Sequence, residues 1–95
     1  METSIVTKTH REQQGLTVRE FSDAINAKLI NTGMSSSLVS RIENGHYEPP
    51  LSLLFECLAT YQGTWIYLWA IESICAMYPD LVESSIIQFK LPVAQ

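Results

Sequence analysis

The sequence has little that would suit a secreted, membrane-spanning or disulfide-linked protein. Its 95 residues contain only two cysteines, Cys57 and Cys75, and both lie in apolar segments instead of the CxxC spacing of redox and zinc sites. No apolar run approaches the roughly 18 residues that a membrane-spanning helix requires, and the N-terminus lacks the basic start and apolar stretch of a secretion signal. We therefore expect a cytoplasmic protein without a membrane partner, in which the cysteines serve as small apolar side chains.

Positive charge is also scarce. Six Lys and Arg residues face ten Asp and Glu residues, and the resulting formal net charge of -4 by itself argues against a nucleic-acid partner. The acidity is confined to the C-terminal half, however, because residues 1–47 carry five basic and five acidic side chains while residues 48–95 carry one basic and five acidic. The N-terminal half can therefore present a local basic surface.

The sequence contains no cluster of residues typical of a catalytic, phosphate-binding or metal site. It contains no phosphate-binding loop and no Ser/His/Asp arrangement, and its two histidines, His10 and His46, stand far apart. We therefore predict that the chain is not an enzyme and that it binds neither a cofactor nor a metal ion. We expect His10 to be a partly buried helix residue.

The remaining composition is that of a small folded domain. Hydrophobic residues make up 46% of the chain and charged residues 17%, which suits one domain of four or five helices. Caps and glycine stops divide it into five predicted helices: a capping box at Thr17–Glu20 and a serine N-cap at Ser35 begin the second and third, and Gly45 ends the third. The predicted ranges are 7–14, from 17 onward, 35–44, 51–61 and 64–77.

Helical spacing predicts that Val39 and Ile42 of the third helix face the core. In the fourth helix the predicted apolar face comprises Leu51, Leu54, Phe55, Leu58 and Ala59.

A capped second helix, a Gly-containing turn and a small polar third helix are the parts of a helix-turn-helix. The strings GLTVREFSDAI (residues 15–25) and GMSSSLVSRIENGHYEPPLSLLFECLATY (residues 33–61) resemble the phage repressor/Cro-type helix-turn-helix family, also called XRE-like. The resemblance covers about residues 11–68. It implies an all-α fold of five helices. Residues 1–63 form the DNA-binding part, with a recognition helix at 35–44, and residues 64–95 form a C-terminal helix and tail of the same domain that serve dimerisation.

The resemblance also implies roles for single residues. Base contacts in the major groove fall to Ser36, Ser37, Leu38, Ser40 and Arg41, and Arg41 is the strongest reader because its guanidinium can pair with both O6 and N7 of a guanine. Leu38 could equally pack under the motif. An ion pair between Arg11 and Glu43 would tie the first helix to the recognition helix. Contacts to DNA phosphates are implied for Thr17, Lys28, Ser35, Asn44, His46 and Tyr47.

Two features depart from the family pattern. Seven extra residues, 26–32, stand between the second helix and the turn glycine Gly33, so that either the second helix is longer or the turn is larger. In the first helix, Thr7 and His10 occupy positions that the family fills with aliphatic residues. We expect that helix to pack less well.

The C-terminal region carries more apolar surface than one five-helix domain should need. In residues 81–95 the alternation of Ile87, Phe89 and Leu91 favours a short β-strand, which would pair with the same strand of a second chain, although a helix fits the pattern too. The predicted dimer interface comprises Ile66, Leu68, Trp69, Ile87 and Phe89.

Together these features predict a sequence-specific transcription regulator of double-stranded DNA, most simply a homodimeric repressor of a two-fold symmetric operator. Two alternatives remain. The fold also serves antitoxins of toxin–antitoxin pairs, whose apolar surface would hold a toxin. It can also serve as a protein-binding adaptor without a DNA partner.

Overall fold

The computed structural model describes residues 2–80, and this part of the chain folds into α-helices. Its helices are α1 (Glu2–Gln13), α2 (Val18–Asn26), α3 (Ser36–Glu43), α4 (Leu51–Thr60) and α5 (Trp65–Met77). The all-α, five-helix fold class is therefore confirmed for these residues. The prediction of a strand in the tail, with Ile87 and Phe89, lies outside the described residues.

Local capping signals begin α2 and α3 where the sequence predicts. The Thr17 hydroxyl accepts from the Glu20 N–H at 3.1 Å, and the Glu20 carboxylate accepts from the Thr17 N–H at 2.9 Å, which completes the capping box. Ser35 caps α3 by accepting from the Leu38 N–H at 3.1 Å. These bonds satisfy N–H groups that have no partner inside the helix.

The first helix is longer and better held than the sequence suggests. It begins at Glu2 instead of residue 7, and it packs along α5. Thr7 is fully buried and its hydroxyl accepts a 3.0 Å hydrogen bond from Nε1 of Trp69, while Nε2 of His10, also buried, lies 2.8 Å from the Glu72 carboxylate. The expectation of poor packing is therefore wrong, because polar contacts take the place of the aliphatic ones.

The inner faces of α2 to α5 pack together into a single core. Phe21 of α2 and Trp69 of α5 are fully buried, and their rings meet edge to face with centroids 5.5 Å apart. Val39 and Ile42 enter this core from α3, as predicted. Its members are Phe21, Ile25, Met34, Val39, Ile42, Leu53, Leu54, Cys57, Leu58, Tyr61, Ile66, Trp69, Ala70, Ile71 and Ile74.

Burial of α5 overturns part of the predicted dimer interface. Trp69 is 0% exposed and Ile66 is 5% exposed, so neither side chain presents a surface to a second chain. The five-helix core absorbs the apolar residues that the sequence suggested were in excess, because α1 and α4 both pack on α5. Leu68 is only half-buried, and Ile87 and Phe89 lie outside the described residues.

The inward face of α4 also differs from the predicted one. Phe55 is 48% exposed and Ala59 is exposed, whereas Leu53 and Cys57 are buried. This helix is apolar almost all round, so its periodicity could not identify the face that packs on α5. Burial raises the pKa of the Cys57 thiol to about 12, which keeps it protonated and suits the predicted role of a small apolar side chain.

No helix within residues 2–80 combines the length and the apolar character needed to span a membrane.

Candidate nucleic-acid interface

The segment between α2 and α3 forms an enlarged turn over residues 27–35. The helix α2 ends at Asn26, so six of the seven extra residues, 27–32, enlarge the turn instead of lengthening the helix. The Asn26 side chain explains the stop, since it accepts from the Met34 N–H at 2.8 Å and donates to the Met34 carbonyl at 2.7 Å. One side chain thereby joins the end of α2 to the residue just before the N-cap of α3.

A glutamate from α4 holds the middle of the enlarged turn. The Glu56 carboxylate accepts from the N–H of Ile30 at 3.0 Å, from the N–H of Asn31 at 3.3 Å and from the hydroxyl of Thr32 at 2.8 Å. The bond from the Ile30 N–H, followed by the one from the Thr32 hydroxyl, lowers the pKa of Glu56 because both stabilise its charged form. The side chain of Ile30 is 89% exposed.

The start of the turn is fixed by a buried tyrosine. The Tyr61 hydroxyl donates to the Ile25 carbonyl at the end of α2 and accepts from the Lys28 N–H at 3.0 Å. Burial raises the pKa of Tyr61, so that the hydroxyl keeps its proton as a donor. The Lys28 side chain is exposed at this position, where a role in phosphate binding remains a prediction.

The outer face of α3 is small, polar and open. Ser37 and Arg41, one turn apart, are exposed, while Ser36 and Ser40 are half-buried. Leu38 is half-buried and packs against the core, which fits its alternative role under the motif. At the N-terminus, the Ser35 and Ser37 hydroxyls lie 3.1 Å apart. Small side chains on this face allow a close approach to base edges.

The end of α3 follows from a single glycine. Gly45 has a φ of 78°, the left-handed conformation that glycine adopts without strain, and its N–H donates to the Ile42 carbonyl at 3.0 Å. The next N–H, of His46, donates to the Arg41 carbonyl at 2.9 Å, which completes a Schellman motif. The motif turns the chain back toward the last turn of α3, and Asn44, His46 and Tyr47 are exposed beside it.

This reversal creates a contact that the sequence did not predict. The guanidinium carbon of Arg41 lies 5.3 Å from the centroid of the Tyr47 ring, within the range of a cation–π interaction. Within residues 2–80 no carboxylate forms an ion pair with Arg41. Its hydrogen-bonding edge is therefore available to a ligand.

The predicted pair between Arg11 and Glu43 is present. Nε of Arg11 donates to Oε2 of Glu43 at 2.6 Å and Nη2 donates to Oε1 at 3.1 Å, while Nη1 donates to the Leu16 carbonyl at 2.9 Å. The hydrogen bond to Glu43 is the main cause that raises the pKa of Arg11 above its ordinary value. Because Glu43 is already neutralised by Arg11, it does not cancel the charge of Arg41 on the same helix.

The charge balance near α3 is consequently less acidic than the total charge suggests. Glu43 is paired with Arg11, so its charge is balanced. In contrast, Arg19, Lys28 and Arg41 form no ion pair with any carboxylate in the described part of the chain. Exposed cations without an ion-pair partner, beside a small polar helix, are a feature that nucleic-acid surfaces share.

A protein-family model described as helix-turn-helix matches residues 8–68, well over half of the chain. The matched range begins within α1, includes α2, the enlarged turn, α3 and α4, and ends in the first turns of α5. No curated protein and no solved structure matches the chain.

Proposed function

The chain belongs to the repressor/Cro-type (XRE-like) helix-turn-helix family of DNA-binding transcription regulators, and from this membership we propose that it acts as a homodimeric, sequence-specific repressor in the cytoplasm. The family is a regulatory one rather than a family of enzymes. Repression in this proposal is simple occlusion: two copies cover a promoter and exclude the polymerase.

Arg41 is the observation that carries the proposal. It stands on the outer face of α3, opposite the buried Val39 and Ile42, and its guanidinium has no carboxylate partner within residues 2–80. A guanidinium in this position can donate two parallel hydrogen bonds to the O6 and N7 of a guanine, which discriminates against other bases by roughly 1 to 3 kcal/mol. Ser36, Ser37 and Ser40 allow the approach and add weaker contacts.

Contacts to the DNA backbone would flank α3 on both sides. The N-terminus of α2 at Thr17 and the loop from Asn44 to Tyr47 supply N–H groups and polar side chains, with Ser35 and Lys28 at the enlarged turn. Such contacts set the register of the protein on the duplex without reading its sequence. The overall charge of -4 limits nonspecific affinity, and we expect binding to weaken as salt rises because each phosphate contact releases counterions.

Dimerisation would give the protein a two-fold symmetric operator. Leu68 is half-buried on α5, and we propose that it contributes to the dimer contact together with Ile87 and Phe89 of the tail. Two copies would set their recognition helices about 34 Å apart, one turn of the double helix.

Selection of bound duplexes from a random pool, combined with light scattering, tests this proposal. We expect the selected DNA to contain two inverted half-sites about 10 base pairs apart from centre to centre, and the protein to have the mass of a dimer. An unpaired single half-site together with a monomer mass at micromolar concentration would contradict the homodimer.

The negative net charge favours one different function, a protein-binding adaptor. It predicts no salt-dependent binding to any DNA in the pool, whereas an antitoxin would bind DNA and also co-purify with a small second protein. Each outcome replaces the proposed repressor with a specific alternative.

A further inference from the structure

The contact between Arg41 and Tyr47 links the outer face of α3 to the loop that follows it. The two residues stand on opposite sides of the Schellman turn at Gly45, and the Arg41 carbonyl itself accepts the His46 N–H that closes this turn. The backbone bond brings the loop back along the last turn of α3. It thereby fixes the ring of Tyr47 beside the side chain of Arg41.

A guanidinium that stacks on a ring keeps its hydrogen-bonding capacity. Stacking uses the flat face of the guanidinium, whereas its N–H groups point outward in the plane. Recognition of O6 and N7 of a guanine needs that plane at a defined angle, and a free arginine must lose much rotational freedom to provide it. An arginine whose guanidinium already lies over a ring loses less rotational freedom when it binds the guanine.

No competing partner pulls Arg41 out of this position. Glu43, the acid nearest to it along α3, is held by Arg11 in a pair whose side chains are 16% and 11% exposed. Glu48 follows Tyr47 directly, yet Arg41 has no ion pair with it or with any other carboxylate in residues 2–80.

We propose that Tyr47 is a specificity-determining positioning residue, whose ring orients Arg41 toward a guanine in the major groove. This inference rests on the proposed function and adds to it a role for the ring that differs from phosphate binding by the hydroxyl. A hydroxyl–phosphate contact strengthens binding to all sequences equally. A ring that orients Arg41 strengthens binding only to DNA with the guanine that Arg41 reads.

Substitutions at Tyr47 separate the two roles. Tyr47→Phe keeps the ring and removes the hydroxyl, whereas Tyr47→Leu removes the ring and keeps apolar bulk. Tyr47 is 39% exposed and outside the core, so both variants should fold, which thermal unfolding checks. The guanine that Arg41 reads is identified first, as the base pair whose selection is lost in Arg41→Ala.

The experiment compares affinities for two duplexes, the selected operator and the same operator with that guanine pair replaced. The ratio of the two affinities is the readout, because a misfolded fraction of protein lowers both affinities and leaves their ratio unchanged. We expect Tyr47→Phe to retain the wild-type ratio. We expect Tyr47→Leu to lower the ratio about two- to fivefold, which corresponds to the strength of an exposed cation–π contact. In an Arg41→Ala background, Tyr47→Leu should leave the ratio unchanged.

An unchanged ratio in Tyr47→Leu, or an equal loss of ratio in Tyr47→Phe, would overturn the inference while leaving the proposed function intact. A sequence preference that survives in Arg41→Ala at every base pair would overturn it as well. Failure of the wild-type protein to select any sequence would overturn the proposed function and this inference together.

Discussion

Arg11 and Glu43 join the first helix to the third through two parallel hydrogen bonds, Nε to Oε2 at 2.6 Å and Nη2 to Oε1 at 3.1 Å. Both side chains are largely buried, and Arg11 also donates to the Leu16 carbonyl beyond the end of α1. The helix α3 is therefore anchored at its C-terminal end by a planar, bidentate contact. Loss of either partner leaves the other charge without a partner in a mostly buried position.

Arg11→Ala should lower the free energy of unfolding by about 3 kcal/mol, because it leaves the Glu43 carboxylate unpaired. Urea unfolding of Arg11→Ala, Glu43→Ala and the double variant measures the coupling between the two residues. Lys8→Ala is the matched control on the same helix, since Lys8 is exposed and forms no ion pair within residues 2–80. Additive losses in the double variant would show that the pair does not couple α1 to α3.

Asn26→Ala should loosen the enlarged turn, because it removes both hydrogen bonds that tie Asn26 to the Met34 backbone. We expect a loss of about 1 to 2 kcal/mol in stability and faster hydrogen exchange at the Met34 N–H. DNA affinity should fall while the selected sequence stays the same, since Asn26 positions α3 and reads no base. Asn31→Ala is the control, because within residues 2–80 Asn31 forms its hydrogen bond through the backbone N–H and not through its side chain. Equal exchange at Met34 in both variants would rule out this role of Asn26.

The Glu56 carboxylate should make stability depend on pH. Its pKa is lowered in the folded protein, so its charge stabilises the fold above the pKa of the unfolded chain, and this contribution is lost as the pH falls through the lower, folded pKa. Wild-type protein should therefore be more stable than Glu56→Gln at pH 7, and the difference should shrink toward about pH 3.

Urea unfolding across this pH range measures the effect. Glu48→Gln is the matched control, because Glu48 is exposed and makes no hydrogen bond or ion pair within the described residues. A constant difference between wild type and Glu56→Gln from pH 7 to about pH 3 would mean that the charge of Glu56 does not hold the turn.

Thr7→Val should destabilise the contact between α1 and α5, although it preserves shape. It leaves Nε1–H of Trp69 buried without an acceptor, a cost of about 1 to 3 kcal/mol. Thr7→Ser retains the acceptor and should lose less. Chemical unfolding followed by tryptophan fluorescence gives the two values, and an equal loss in both variants would show that the hydroxyl is unimportant.

Features encoded by neighbouring residues could be predicted from the sequence. The capping box at Thr17, the N-cap at Ser35 and the glycine stop at Gly45 each depend on side chains within one turn of the helix end, and all three are present in the structure. The inward positions of α3 could be predicted as well, because helical spacing places Val39 and Ile42 together on one face.

Features that depend on distant residues could not be predicted. The enlarged turn takes its shape from Glu56 and Tyr61, which lie 24 or more residues beyond the groups they bind. Because α5 is apolar on all sides, its sequence could not separate core residues from interface residues. Burial against Phe21 and Thr7 shows that Trp69 belongs to the core. The sequence does contain one sign of the contact between Arg41 and Tyr47. A glycine that ends a helix, Gly45, is followed two positions later by an aromatic residue.

Base reading by α3 is tested most directly by selecting bound duplexes from a random pool with wild-type protein, Arg41→Ala and Arg19→Ala in parallel. Arg19 is exposed on α2 and is the control for loss of one positive charge. We expect wild type and Arg19→Ala to enrich the same guanine in each half-site, and Arg41→Ala to lose enrichment at that base pair alone. Identical enrichment by wild type and Arg41→Ala would contradict base reading by Arg41.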